Sequence, residues 1–218
     1  MQTVLTFTEG GSIGLGHIRR QIVLARELQR RGFGIKFVSP FREIVGIECL
    51  RAAGYAVEES DAPIWPAVDA LIVDVEEYPG IAAFENWKSQ YPRIILFGGA
   101  AYPRFNSENL ADLTIYQREP FDDPSANALN GLEYVIVEPA FATCRPNPNG
   151  HIVISMGGRD PFNFTPLAMR AASTFARKVV TIIGPQFDYP ALVGEVQSPV
   201  SLTPHLDGAA LCVCATGM

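Results

Sequence analysis

The chain has little charge and no concentration of basic residues. Only 18% of its 218 residues are charged, and 17 basic against 23 acidic side chains give a net charge of −6. No cluster of Lys and Arg is long enough to neutralise several phosphates in a row, which disfavours a nucleic-acid partner. With 48% hydrophobic residues, a chain of this length hides roughly 70–75% of its surface on folding, so intrinsic disorder is excluded.

Long apolar runs, a secretory leader and metal-type cysteine spacings are also missing. No segment reaches the roughly 18 consecutive apolar residues of a membrane span. The N-terminus lacks the basic start and cleavage site of a signal peptide, so we expect a cytoplasmic protein. Cys49, Cys144, Cys212 and Cys214 show neither metal-ligand spacing nor a CxxC pair. We expect Cys212 and Cys214 to share one face of a buried strand as small hydrophobes.

Short runs rich in β-branched residues alternate with longer helical patterns, which predicts an α/β fold with a mostly parallel sheet. A helix over about His17 to Arg31 has an apolar stripe and ends at Gly32. A second helix is predicted near Glu43 to Ala53. The predicted strands of this part are Val4 to Thr8, Ile35 to Ser39, one beginning at Tyr55 to Val57, Asp69 to Val75, Arg93 to Phe97, Asp112 to Tyr116 and Glu133 to Val137.

After a proline-rich stretch the same pattern starts afresh, which predicts two Rossmann-like domains in tandem. We place the first at residues 1–140, the linker at 141–150 and a partial second domain at 151–218. Since the chain ends directly after its fourth strand candidate, the second domain is expected to be incomplete at the C-terminus. Exposure of Ala210 to Thr216 would then favour a homo-oligomer through this strand. The predicted elements are HIVISMGG, a helix over Pro166 to Arg177, KVVTIIG, a short helix near Tyr189 to Val196, PVSL and AALCVCAT.

A glycine-rich turn, GGSIGLGHIRR, joins the first strand to its helix. Such turns let the backbone approach a ligand closely, and amides at a helix start favour an anion, so this is a candidate diphosphate or sugar cradle. The dinucleotide fingerprint fails because Arg19 stands at its third glycine, and the P-loop pattern fails at His17 and Ile18. We therefore expect no nucleotide cofactor.

His17 stands beside this turn and off the predicted apolar stripe. An imidazole there could take a proton from water or a hydroxyl. A histidine that only caps the helix or bonds a loop carbonyl explains the position equally well.

The second domain opens with a related turn, SMGGRDPFNFT. Gly157 and Gly158 permit close backbone approach, while Asp160, Asn163 or Thr165 could cap the helix that follows. A capped strand-to-helix turn accounts for these residues without any ligand.

Together, these motifs resemble the nucleotide-sugar hydrolases of pseudaminic acid biosynthesis and their relatives in spore-coat polysaccharide synthesis, which have the GT-B glycosyltransferase fold. The matching motifs are Gly14-x-Gly16-His17-x-x-Arg20, Ser155-x-Gly157-Gly158-x-Asp160-Pro161-x-Asn163-x-Thr165, and the segment from Gly131-x-x-Tyr134 to Phe141.

The resemblance implies water attack on the anomeric carbon of a UDP-linked acetamido-deoxy sugar, in a cleft between the two domains, with no catalytic metal and no cofactor. A transferase relative would use an acceptor hydroxyl instead of water. His17 would act as, or position, the general base, and Asp74 and Tyr78 would line the sugar pocket. The residues expected to bind substrate are Gly14, Gly16, Arg20, Asp74, Tyr78, Gly157, Gly158, Asp160 and Asn163.

Two other functions stay open. A non-catalytic or truncated relative would bind a sugar nucleotide or a protein partner without turnover. A redox enzyme with a dinucleotide has only fold analogy in its favour.

Overall fold

The structure is a computed structural model of the chain. It describes residues 1–10, 14–63, 67–76, 80–98, 111–117, 127–157, 160, 162–184, 195–197 and 202–214. The chain divides into two compact units, the first made of residues 1–10 and 17–137 and the second of residues 11–16 and 138–218.

The first unit is built on one parallel sheet, to which the described residues contribute seven strands in the order β3-β2-β1-β4-β5-β6-β7. Three helices accompany them in the described part. The strands are β1 (Thr3–Thr8), β2 (Gly34–Ser39), β3 (Val57–Glu59), β4 (Ala70–Asp74), β5 (Ile94–Phe97), β6 (Leu113–Tyr116) and β7 (Ala128–Asn130), and the helices are α1 (Gly16–Arg30), α2 (Ile44–Ala52) and α3 (Ile81–Gln90). Because β4 pairs with β1 instead of continuing beyond β3, the strand order reverses between β1 and β4.

Both faces of this sheet are covered, as near-continuous apolar strands require. On one face Phe7 and Val73 pack with Phe84 and Trp87 of α3. On the opposite face Val4, Ile72 and Phe97 pack with Leu24 and Leu28 of α1. The predicted stripe of α1 and its end before Gly32 are confirmed, Gly32 having φ +91°.

Helix α2 packs close to the chain that leaves β1. A Cβ atom built on Gly46 would collide with the carbonyl oxygen of Gly10 and would lie 3.0 Å from its carbonyl carbon and 3.1 Å from Ile18 Cγ1. Only glycine fits at position 46 without a shift of backbone.

In the second unit, the described residues contribute four parallel strands in the order β10-β9-β8-β11. Ile152, Ile154 and Met156 pack with Ala172 on one face, and Val153 and Val180 pack on the other. The elements are β8 (His151–Ser155), α4 (Phe164–Ala172), β9 (Val179–Ile182), β10 (Glu195–Gln197), α5 (Thr203–Leu206) and β11 (Ala209–Cys214).

Several sequence predictions are wrong. Glu133 to Val137 is not a buried strand: Leu132–Tyr134 is a 3-10 turn, and Val135 and Val137 are exposed. Gly131, at φ +152°, ends the preceding extended segment, and the unpredicted strand β7 takes the place beside β6. Helix α3 has no counterpart among the predicted elements.

The second unit corrects two more predictions and leaves a third mostly outside the described residues. Glu195 and Val196 lie in strand β10 instead of a helix, where they pair with Val180 and Thr181 of β9. Residues 189–194 lie outside the described part. PVSL lies outside it as well except for Leu202, which precedes α5. Cys212 and Cys214 are exposed, not buried, because β11 pairs with β8 on one side and has no further strand beside it among the described residues.

Candidate functional site

The candidate site lies at the carboxyl ends of β1 and β4. Thr8 and Asp74, the last residues of these strands, are directly paired across the sheet. In open α/β sheets ligands bind outside the carboxyl ends of the strands, at the point where strand order reverses. The candidate site of the first unit therefore lies where this architecture binds ligands.

Gly14 and Gly16 belong to the turn that leads into α1. Gly14 has φ +109°, a conformation that favours glycine, and Gly16 begins the helix. The first turn of α1 contains no acidic residue. Its positive end is therefore not neutralised by a carboxylate of its own first turn, which suits an anion.

His17 is joined to Asp74 at this point. The imidazole Nδ1 lies 2.8 Å from Asp74 Oδ1, and the side chain of His17 is 23% exposed whereas that of Asp74 is fully buried. The sequence predicts that Asp74 lines a sugar pocket. In the structure its carboxylate is buried and contacts the partly exposed side chains of His17 and Arg20.

Two further side chains of α1 hold the Asp74 carboxylate. Arg20 donates from Nε to Oδ2 at 2.7 Å and from Nη2 to Oδ1. Gln21 Nε2 donates to Oδ2 at 2.7 Å. The Arg20 guanidinium also lies 5.5 Å from the ring centroid of Phe97, at the end of β5.

These contacts keep Asp74 ionised. Burial alone would raise the pKa of Asp74, but hydrogen bonds and charge from Arg20 and His17 outweigh it and bring the pKa down to about 2. An ionised carboxylate only accepts hydrogen bonds, so Nδ1 of His17 carries the hydrogen in the 2.8 Å contact. Arg20 Nη2 lies 3.2 Å from His17 Nδ1, farther than Asp74 Oδ1 does, and it donates its hydrogen bond to Asp74 Oδ1.

This tautomer leaves Nε2 of a neutral His17 with a lone pair. No hydrogen bond to Nε2 is formed within the described part of the chain. A partly exposed imidazole with Nδ1–H held by a buried carboxylate can accept a proton from a bound hydroxyl or water.

Sequence reasoning missed Gln21 and Glu9. Gln21 lies on the buried face of α1. A glutamine within an otherwise apolar helix face is the sequence signal that points to a buried polar contact at this position. Glu9 directly follows β1, is only 4% exposed, and accepts hydrogen bonds from the backbone amide of Glu76 and from Arg42 Nη2, the latter at 3.4 Å. It thereby connects the segments that follow β1, β2 and β4.

The second unit places its predicted residues around the start of α4. Asp160 accepts hydrogen bonds from the amides of Phe164 at 2.9 Å and Thr165 at 2.7 Å, so its carboxylate caps this helix. Burial would raise the pKa of Asp160, but these amides lower it overall. Asn163 makes no capping hydrogen bond and adopts φ +56°. Gly157 is exposed with φ +85°.

Of the predicted site residues, the structure brings together His17, Arg20 and Asp74 in the first unit. Gly157, Asp160 and Asn163 lie in the second unit. Tyr78 and Gly158 lie outside the described residues. Among the described side chains, no group of three or more His, Cys, Asp or Glu residues could hold a metal ion.

Comparison with solved structures identifies the fold. MurG of Acinetobacter baumannii, a GT-B glycosyltransferase, matches 98% of this chain with a TM-score of 0.57 at 13% identity, and 73% of the MurG chain is covered. The chain has the GT-B fold. The predicted fold class is thereby confirmed, and at this identity the likeness extends to the fold alone.

A second GT-B structure, an alpha-glucosyltransferase in complex with UDP, matches 98% of the chain and 68% of its own length at 10% identity and a TM-score of 0.42. No protein-family model matches the chain, and no curated protein shows significant sequence similarity to it. No helix in the described ranges is both long and apolar enough to span a membrane.

Proposed function

We propose that this GT-B chain processes a UDP-linked sugar, with His17 as the general base. The observation that carries the proposal is the His17–Asp74 pair, 2.8 Å apart where the strand order of the first sheet reverses. The resemblance to nucleotide-sugar hydrolases, based on the motifs around His17 and Asp160, supports the choice of substrate.

In the proposed reaction, His17 Nε2 takes a proton from a water molecule or an acceptor hydroxyl. That oxygen forms a bond to the anomeric carbon, and the bond between this carbon and the diphosphate oxygen breaks. UDP leaves with the electron pair. The buried Asp74 carboxylate stabilises the imidazolium that forms on His17, without contacting the sugar.

The glycine turn supplies the anion site in this proposal. The amides at the start of α1, around Gly14 and Gly16, would face the negatively charged part of the donor. Arg20 is expected from the sequence to bind substrate. Because its Nε and Nη2 donate hydrogen bonds to Asp74, we assign it the role of orienting that carboxylate.

The second unit would contribute through its own turn. Gly157 permits close approach of the backbone, whereas Asp160 is used as a helix cap. We propose that Gly157 and Asn163 take part in binding the nucleotide. An acetamido-deoxy sugar is the donor that the resemblance implies.

The test is release of UDP from UDP-N-acetylhexosamines by the wild type and by His17→Ala. General base catalysis is worth about 10²- to 10⁴-fold, so His17→Ala should lose turnover by that factor. His205→Ala, in α5 of the second unit, is the matched control and should turn over like the wild type. Unchanged turnover in His17→Ala would remove His17 from the mechanism.

A wild type that binds UDP in calorimetry but releases none from any UDP-sugar would support the second candidate, a sugar-nucleotide binder without catalysis. Absence of both binding and release would contradict both candidates.

A further inference from the structure

Three buried oxygen atoms make no hydrogen bond within the described part of the chain, although they lie close to the candidate site. They are Thr8 Oγ1, Gln21 Oε1 and Ser39 Oγ. Thr8 and Ser39 are fully buried and Gln21 is 1% exposed. Because buried polar groups nearly always have a protein or water partner, these atoms need one.

All three oxygens lie on the α1 face of the first sheet. Thr8 pairs with Asp74, and paired residues of parallel neighbours point to the same face. Gln21 reaches that face from α1, since its amide contacts Asp74. Val38 packs on the α3 face, so the next residue, Ser39, points to the α1 face.

The orientation of the Gln21 amide is fixed by Asp74. The ionised carboxylate only accepts, so Nε2 must face it and Oε1 must face away. Oε1 is then a buried acceptor that needs a hydrogen. Thr8, one strand spacing of about 4.8 Å from Asp74, has a hydroxyl hydrogen to donate. The two oxygens make no hydrogen bond to each other or to any other described group, so one water molecule that bonds to both would satisfy them.

We propose that an internal water molecule is bound between Thr8 Oγ1 and Gln21 Oε1, and that Gln21, held by it, is a positioning residue for His17. The water fixes one end of the Gln21 amide while Asp74 fixes the other. Asp74 in turn keeps the hydrogen of His17 on Nδ1. The positioning role rests on the proposed function of His17, whereas the water site does not depend on it.

The water site is tested with Thr8→Val, Gln21→Met and the double variant, by urea unfolding at neutral pH. Valine keeps the shape of threonine, so Thr8→Val removes little besides the hydroxyl. If that hydroxyl holds water, its loss should raise the unfolding equilibrium constant about five- to tenfold. The double variant should lose less than the product of the two single effects, because both remove the same water.

A Thr8→Val protein as stable as the wild type, or more stable, would overturn the water site, since removing an unpartnered buried hydroxyl relieves a cost. Additive effects in the double variant would overturn the bridge. In a high-resolution crystal structure, an ordered water within hydrogen-bond distance of both oxygens supports the proposal, and direct contact or an empty position overturns it.

The positioning role is tested by nitrogen-15 NMR of the His17 ring, which distinguishes the two neutral tautomers. Gln21→Met should increase the fraction with hydrogen on Nε2. Ser39→Ala, which removes another buried hydroxyl one strand farther from Asp74, is the matched control and should leave the tautomer unchanged. An unchanged tautomer in Gln21→Met overturns the role. These measurements use no UDP-sugar, so an inactive wild type would contradict only the proposed function.

Discussion

His17 and Asp74 are 57 residues apart in the sequence and are joined by a 2.8 Å hydrogen bond. The connection exists because β4 returns to the opposite side of β1 from β2, so its last residue lies beneath the first turn of α1. The same helix supplies Arg20 and Gln21 to the same carboxylate. One helix turn and one strand end thus set the tautomer of the candidate base.

Replacing Asp74 by Asn should nearly abolish turnover. An amide NH₂ facing Nδ1 favours the tautomer with hydrogen on Nε2, which removes the basic lone pair from the open side of His17. We expect UDP release to fall by about 10²- to 10⁴-fold. Asp61→Asn, at an exposed position outside the site, is the control and should keep wild-type turnover. Wild-type rates in Asp74→Asn would contradict the role given to this pair.

The stability of the first unit should depend on pH through Asp74. Its folded pKa, about 2, lies below the ordinary value of 3.8, so the stabilisation is present above about pH 4 and is lost as pH falls through about 2. The contribution is about 2 kcal/mol. Urea unfolding of the wild type and Asp74→Asn between pH 5 and pH 2 measures it. Parallel pH profiles of the two proteins would contradict it.

Arg20→Lys should destabilise the protein more than Arg19→Lys. Lysine cannot donate from two fixed nitrogens to both oxygens of the buried Asp74, as Arg20 does, nor does it stack in the same way on Phe97. We expect a loss of about 1–3 kcal/mol in the free energy of unfolding. The neighbouring Arg19 is exposed, and its substitution should stay within about 0.5 kcal/mol. Equal effects in urea unfolding would show that the two-nitrogen contact contributes little.

Asp160→Ala should lower stability by about 1 kcal/mol, the usual effect of losing a helix cap. The reason is the pair of hydrogen bonds that its carboxylate accepts from Phe164 and Thr165. Asn163→Gly is the matched control: it removes a side chain that makes no cap at a positive φ, and should change stability by at most about 0.5 kcal/mol. Thermal unfolding that ranks the two variants in the opposite order would contradict the assignment of the cap.

Sequence patterns predicted elements whose signal is local. The β-branched runs that became β1, β4 and β8 are buried strands, and α1 has the predicted stripe. Val135 and Val137 show where prediction from local patterns fails. A short apolar run becomes a strand only where a sheet edge is available to it, and β7 occupies the edge beside β6. Such competition between distant segments leaves no trace in a local window.

The residues of the candidate site also differ in whether a local sequence signal predicts them. His17 was identified because it follows a glycine turn, a local signal. The burial of Asp74 and the roles of Gln21 and Glu9 depend on contacts with residues 53 to 67 positions away, which spacing does not reveal. Asp160 was recognised as one of several caps, and only geometry selects it over Asn163.

Position 46 accepts only glycine, and this restricts which substitutions the protein tolerates. The carbonyl of Gly10 and a methylene of Ile18 fill the space that any substituent would need, so even alanine would push α2 away from the chain segment that leads into the glycine turn. Libraries aimed at changing the specificity of the candidate site should therefore keep Gly46 constant, although glycine has no side chain that could act in the site.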